Sequence, residues 1–176
     1  MLSFSKKFVF DDFGGNPNKK LGGVDIIVED EHGRRSLAEL KWCQKDDFET
    51  FAWVVFDVFK MALGASSPGA RAGYVVVGAP TTVWQAQTVS GRLLSDGSHE
   101  SAALITRYDG QDALFSDEVA WPSSVPTTIE TVVVADTPVT TPHGLWKLQA
   151  IRVAPGDGAW IACEGGLPVS SPESHT

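Results

Sequence analysis

The chain has little of what staples a small domain, grips a polyanion or crosses a bilayer. Cysteine occurs twice, at Cys43 and Cys163, with no CxxC and no histidine at ligand spacing, which argues against a zinc site. Positive charge is scarce: 14 Lys and Arg face 22 Asp and Glu, a formal net charge of −8. Proteins that hold many phosphates usually present a basic surface, and here the basic residues are scattered. This weighs against tight, non-specific nucleic-acid binding and leaves room for a local groove or a weakly binding enzyme. No run is apolar enough to span a membrane, and MLSFSKKFVFDDFGG lacks the apolar core of a signal peptide. The expectation is a cytoplasmic protein with reduced thiols and no membrane partner.

What is present suits one α/β domain. The 176 residues are enough to bury a core without covalent staples. The reading places that domain over residues 1–163, with a core at 20–80 and a helical and antiparallel β extension at 81–163. The Gly/Pro/Ser-rich segment 164–176 is expected to be a disordered tail.

Residues 1–13 carry scattered Leu, Phe and Val and are read as a short helix in preference to an extended arm. Gly14–Asn18 is a break. Val24–Asp30 and Arg35–Cys43 then read as two strands around Glu31-His32-Gly33, a three-residue hairpin loop with Gly in the left-handed position. That loop pairs positions whose numbers sum to 64, so Asp25 faces Glu39. Alternation puts Lys41 on the same face as Glu39. The other face carries Val24, Ile26 and Val28 with Ala38, Leu40 and Trp42, and a slip by one residue would break that agreement.

Asp46, with Glu49 three residues on, resembles a capping box. The helix it opens runs to about Leu63 and is expected to stop at Gly64. Its apolar positions spread widely, so it reads as largely buried, with Thr50, Asp57 and Lys60 left on one narrow polar line. Tyr74–Ala79 is a strand covered on both faces, and the strand–helix–strand unit implies a parallel crossover. Thr81–Leu94 reads as a second helix. Ile129–Val134, Leu145–Val153 and Ala159–Cys163 read as strands that add antiparallel to the sheet. The fold class is thus α/β, a mixed central sheet with a β-hairpin–α–β core.

Two carboxylates across a hairpin make a hard oxygen site suited to Mg²⁺ or Mn²⁺, and a lysine beside them can stabilise charge on a phosphate. Gly-Val-Asp25, the hairpin, Ala-Glu39-Leu-Lys41, a helix and a buried strand together resemble the core of the PD-(D/E)XK nuclease-like (restriction-endonuclease-like) superfamily, over roughly residues 20–80. The resemblance implies a Mg²⁺-dependent nuclease acting on DNA or RNA. It makes Asp25, Glu39 and the backbone carbonyl of Leu40 the metal ligands and Lys41 the catalytic lysine. Val24 stands where the named motif has Pro. Asp57 and Lys60 become secondary candidates, and Asp11 or Asp12 the candidates for an upstream acid.

Two plainer readings compete. Asp25, Glu39 and Lys41 could form a solvated strand face, and Asp57 with Lys60 reads by spacing as a helix-surface pair. The rival function is a catalytically inactive nuclease-like scaffold that binds a protein partner or a second copy of the chain.

Overall fold

The computed structural model describes residues 2–6, 24–44, 48–85, 95–101, 124–164 and 167–168. Asp11, Asp12, Asp46, residues 86–94 of the expected second helix and most of the expected tail lie outside them. In chain order the elements are β1 (Leu2–Lys6), β2 (Val24–Glu29), β3 (Arg35–Trp42), α1 (Phe48–Ser66), β4 (Ala70–Pro80), α2 (Thr81–Gln85) and β5 (Gly97–Glu100). They continue with β6 (Ser124–Pro126), β7 (Thr128–Thr141), β8 (Gly144–Pro155), β9 (Trp160–Glu164) and β10 (Leu167–Pro168).

The hairpin follows its turn chemistry. Gly33 has φ 75°, a conformation that costs glycine little. The Asp30 N–H donates to the Arg34 carbonyl at 2.9 Å, and Asp30 Oδ1 accepts from the N–H groups of His32 and Arg34. The ladder pairs Ile26 with Ala38 and Ile27 with Leu37, so the register is the one in which paired numbers sum to 64.

After the hairpin, α1 carries the chain back and β4 runs parallel to β3. The helix passes the expected stop at Gly64 and ends at Ser66. There the Ser66 hydroxyl donates to the Leu63 carbonyl at 2.8 Å, satisfying a group the helix end would leave bare. The reversal falls instead at Gly69, φ 78°.

β8 pairs antiparallel with β4 and β7 with β8, as expected of the C-terminal half, and β5 closes that edge. The result is a mixed seven-stranded sheet in the order β1-β2-β3-β4-β8-β7-β5. Three expectations need correction. Residues 2–6 form an edge strand on β2, not part of a helix; a short segment nucleates helix poorly, whereas β2 offers a row of open backbone groups. β9 leaves the main sheet and forms a three-stranded one with β6 and β10. Leu167 and Pro168, placed in the expected tail, are paired with β9. Among the described residues no helix is long and apolar enough to cross a membrane.

The helix α1 lies on one face of the main sheet, against β3, β4 and β8. Leu37, Val75, Val77, Ile151 and Val153 from the strands and Val54, Val58, Phe59 and Met61 from the helix are all buried in that core. The covered face is the one that carries Leu37, Glu39 and Lys41. The face expected to be the apolar one is the more open: Leu40 is 49% exposed and Trp42 61%, although Trp42 stacks on Trp146 at 4.8 Å.

Gly73 fixes how near α1 can come, because a Cβ there would run into the Met61 backbone carbonyl. Gly73→Ala is therefore expected to destabilise the protein by about 1–3 kcal/mol, the usual cost of overpacking. Urea unfolding checks this; an unchanged midpoint would show that α1 can retreat without loss.

Candidate functional site

The site is built by one strand and one helix running in opposite directions. β3 and β4 are parallel, so the connecting helix must run antiparallel to β3. Glu39 and Lys41 lie two apart on the strand and so share a face. Asp57 and Lys60 lie three apart on the helix and so share a stripe. The reversed direction brings the earlier helix residue to the later strand residue. Lys41 Nζ meets Asp57 Oδ2 at 2.9 Å, and Lys60 Nζ meets Glu39 Oε1 at 2.5 Å. Each cation thus finds an anion, which a parallel helix would not have arranged.

Burial is steep across this cluster. Glu39, Asp57 and Lys60 are buried, whereas the Lys41 side chain keeps 25% of its exposure. Charges so deep persist only when paired. Each buried carboxylate here has such a partner, Lys60 for Glu39 and Lys41 for Asp57. Aromatic rings flank the polar line one turn earlier on the helix. The Lys41 ammonium lies 5.6 Å from the Trp53 ring centre and that of Lys60 lies 5.9 Å from Phe56.

Asp25 joins from β2. Its Oδ2 accepts the Leu40 N–H at 2.9 Å, just beyond the last main-chain pair of the hairpin ladder. The N–H groups of Arg35 and Cys43 point the other way, to the carbonyls of Gly69, just before β4, and of Gly78, within it. Even-numbered residues of β3 therefore turn their N–H and C=O toward β2, and the Leu40 carbonyl is directed to the side from which Asp25 approaches.

The electrostatics follow from this crowding. Burial pushes the Glu39 carboxyl up to about 7; the Lys60 ammonium pulls it down, and Asp57 and Asp25 add repulsion. Burial also raises Asp57, against the pull of Lys41 and then of Lys60. Three carboxylates face two ammonium groups, so the ionised cluster keeps an excess of negative charge.

The structure thus brings together Asp25, Glu39, Lys41, Asp57 and Lys60. The solvated-face reading fails, since α1 covers that face, and so does the reading of Asp57 and Lys60 as a helix-surface pair. The sequence did hold a signal for their partners: an acid and a base three apart on a returning helix, in the order that answers Glu-x-Lys reversed. Gln149 was not foreseen. It is buried on the same face, in the β8 row level with Val77 and Lys41, and its Oε1 lacks a hydrogen bond. A lone Gln within an apolar strand gave no cue.

As ligands, the Asp25 and Glu39 carboxylates and the Leu40 carbonyl are hard oxygens. No group of three or more His, Cys, Asp or Glu side chains able to hold a metal occurs among the described residues. Two carboxylates with a carbonyl and waters is nonetheless an ordinary set for Mg²⁺, which keeps several waters. The buried Glu39 carboxylate, already compensated by the cation of Lys60, agrees with that use. Comparison with protein-family models, curated proteins and solved structures finds no match to the chain.

The Glu39 shift has a definite sign. Its folded value, about 7, lies above the ordinary 4.5, so the folded state holds the extra proton between them. The stability this contributes is full below pH 4.5 and is lost as pH rises through about 7. His99 is shifted downward by burial and works in the opposite sense. Comparing wild type with Glu39→Gln cancels that background. The wild-type stability relative to the variant should fall by up to about 3 kcal/mol between pH 4.5 and 8. Urea titrations across this range check it, and a constant difference would contradict a buried, raised Glu39.

Proposed function

We propose that the chain is a Mg²⁺- or Mn²⁺-dependent nuclease that hydrolyses phosphodiester bonds of DNA or RNA on a restriction-endonuclease-like core. The observation that carries the reading is the convergence of Asp25, Glu39 and Lys41 at one end of a hairpin whose following helix adds Asp57 and Lys60. The mixed sheet with its antiparallel hairpin and parallel return supports it. Asp25, Glu39 and the Leu40 carbonyl would hold the metal. When bound, such a cation supplies an activated water and neutralises charge on the phosphate.

The chain's own residues account for the rest. Lys41 keeps part of its surface open, so its ammonium can meet a phosphate oxygen as negative charge develops there. Asp57 orients that ammonium from behind, in the way a second layer of side chains fixes the first. The buried side of the cluster excludes water, which strengthens each charge on the reacting group. The substrate would enter from the Asp25 and Lys41 side, where both side chains keep part of their surface open.

Incubating the purified chain with single- and double-stranded DNA and RNA in Mg²⁺ or Mn²⁺ tests the reading. Metal-dependent cleavage is expected, with Lys41→Ala slower by about 10²-fold or more, as for loss of a transition-state donor. Equal cleavage by wild type and variant would sink the assignment.

A second reading rests on the open apolar face around Leu40 and Trp42, opposite the cluster. It makes the chain an inactive scaffold that binds a protein partner or another copy of itself. Metal-dependent cleavage lost in Lys41→Ala would exclude it.

A further inference from the structure

We propose that Lys60 is a resident cation, whose ammonium holds the place beside Glu39 that a divalent metal takes, so that Lys60 sets how weakly the site binds metal. The inference rests on the metal-dependent reading above and adds a residue that competes with the metal. Three observations carry it.

First, the place at Glu39 is already taken by a cation. Lys60 Nζ stands at 2.5 Å from Glu39 Oε1, with both side chains almost wholly buried. A dication at that oxygen would meet the ammonium at close range and repel it strongly in so dry a place. The two cannot share the position.

Second, without some cation the position is costly. A buried carboxylate left alone is unfavourable, and Lys41, on the same strand, is already engaged by Asp57. Lys60 therefore keeps the cluster compensated while metal is absent.

Third, the displaced ammonium has somewhere to go. Asp57 lies three residues earlier on the same helical stripe and already feels the charge of Lys60. The Phe56 ring, 5.9 Å from the ammonium, offers its face as well. On metal binding Lys60 turns from Glu39 toward Asp57, which then serves both lysines.

Calorimetric titration of the full chain with Mn²⁺ at pH 8.5 tests this, on wild type, Lys60→Met, Lys60→Arg and Asp57→Asn. Far-UV circular dichroism confirms that each is folded, and Lys60→Gln replaces the Met variant should that one not fold. Lys60→Met should bind Mn²⁺ about tenfold more tightly or better, as expected when a close like charge is removed. Lys60→Arg should bind much as wild type does. Asp57→Asn, which removes the landing place, should bind more weakly. If wild type binds Mn²⁺ and Lys60→Met binds it no more tightly, the displacement idea is overturned while the metal site stands. If neither wild type nor Lys60→Met binds Mn²⁺, the metal-dependent reading fails and this inference fails with it.

Discussion

The pairing of β3 with α1 in opposite directions is the constraint on which the rest depends. Because β4 returns parallel to β3, the helix between them has no choice of direction. Direction then decides which side chains meet. Glu39 and Lys41, read upward, face Lys60 and Asp57, read downward, and all four charges are compensated. With the helix reversed, acid would face acid and base would face base. No side chain of that cluster could then stay buried at tolerable cost.

That arrangement is poor engineering for stability alone. A well-packed apolar set of the same volume would commonly hold a helix to a sheet as well or better. Here α1 already has an ample apolar contact with β4 and β8, drawn close by Gly73. The charged line is added at one edge of that contact, where Lys41 and Asp25 remain partly open. Perturbed carboxylates at the edge of a core are what a chemical site requires, and the nuclease proposal draws on them. The raised Glu39 is the mark of this: burial makes its charge expensive, and Lys60 offsets only part of that cost.

Much of this is legible in the sequence. The Glu31-His32-Gly33 loop dictated the register, since glycine at φ 75° and the Asp30 carboxylate leave that turn one closure. The apolar run Tyr74–Ala79 announced the inner strand. What could not be read was the side of the sheet that α1 would cover. Alternation marked Leu40 and Trp42 as the apolar face, yet the helix settled on the other, for alternation is local and the path of a crossover is not. The same gap hid the burial of Asp57 and Lys60, whose spacing alone fits a solvated helix equally well. Residues 1–13 read as a helix in preference to an extended arm because the pairing partner of β1, not its own pattern, makes it a strand.

The central claim is that Asp25 and Glu39 form a metal position guarded by charged residues of the helix. A crystal grown or soaked with Mn²⁺, measured for anomalous scattering, addresses it most directly. The account predicts an anomalous peak within coordination reach of a carboxylate oxygen from each of Asp25 and Glu39, about 2.0–2.3 Å, with the Lys60 ammonium moved off Glu39 toward Asp57. No peak at saturating Mn²⁺, with Lys60 still seated on Glu39, would contradict it.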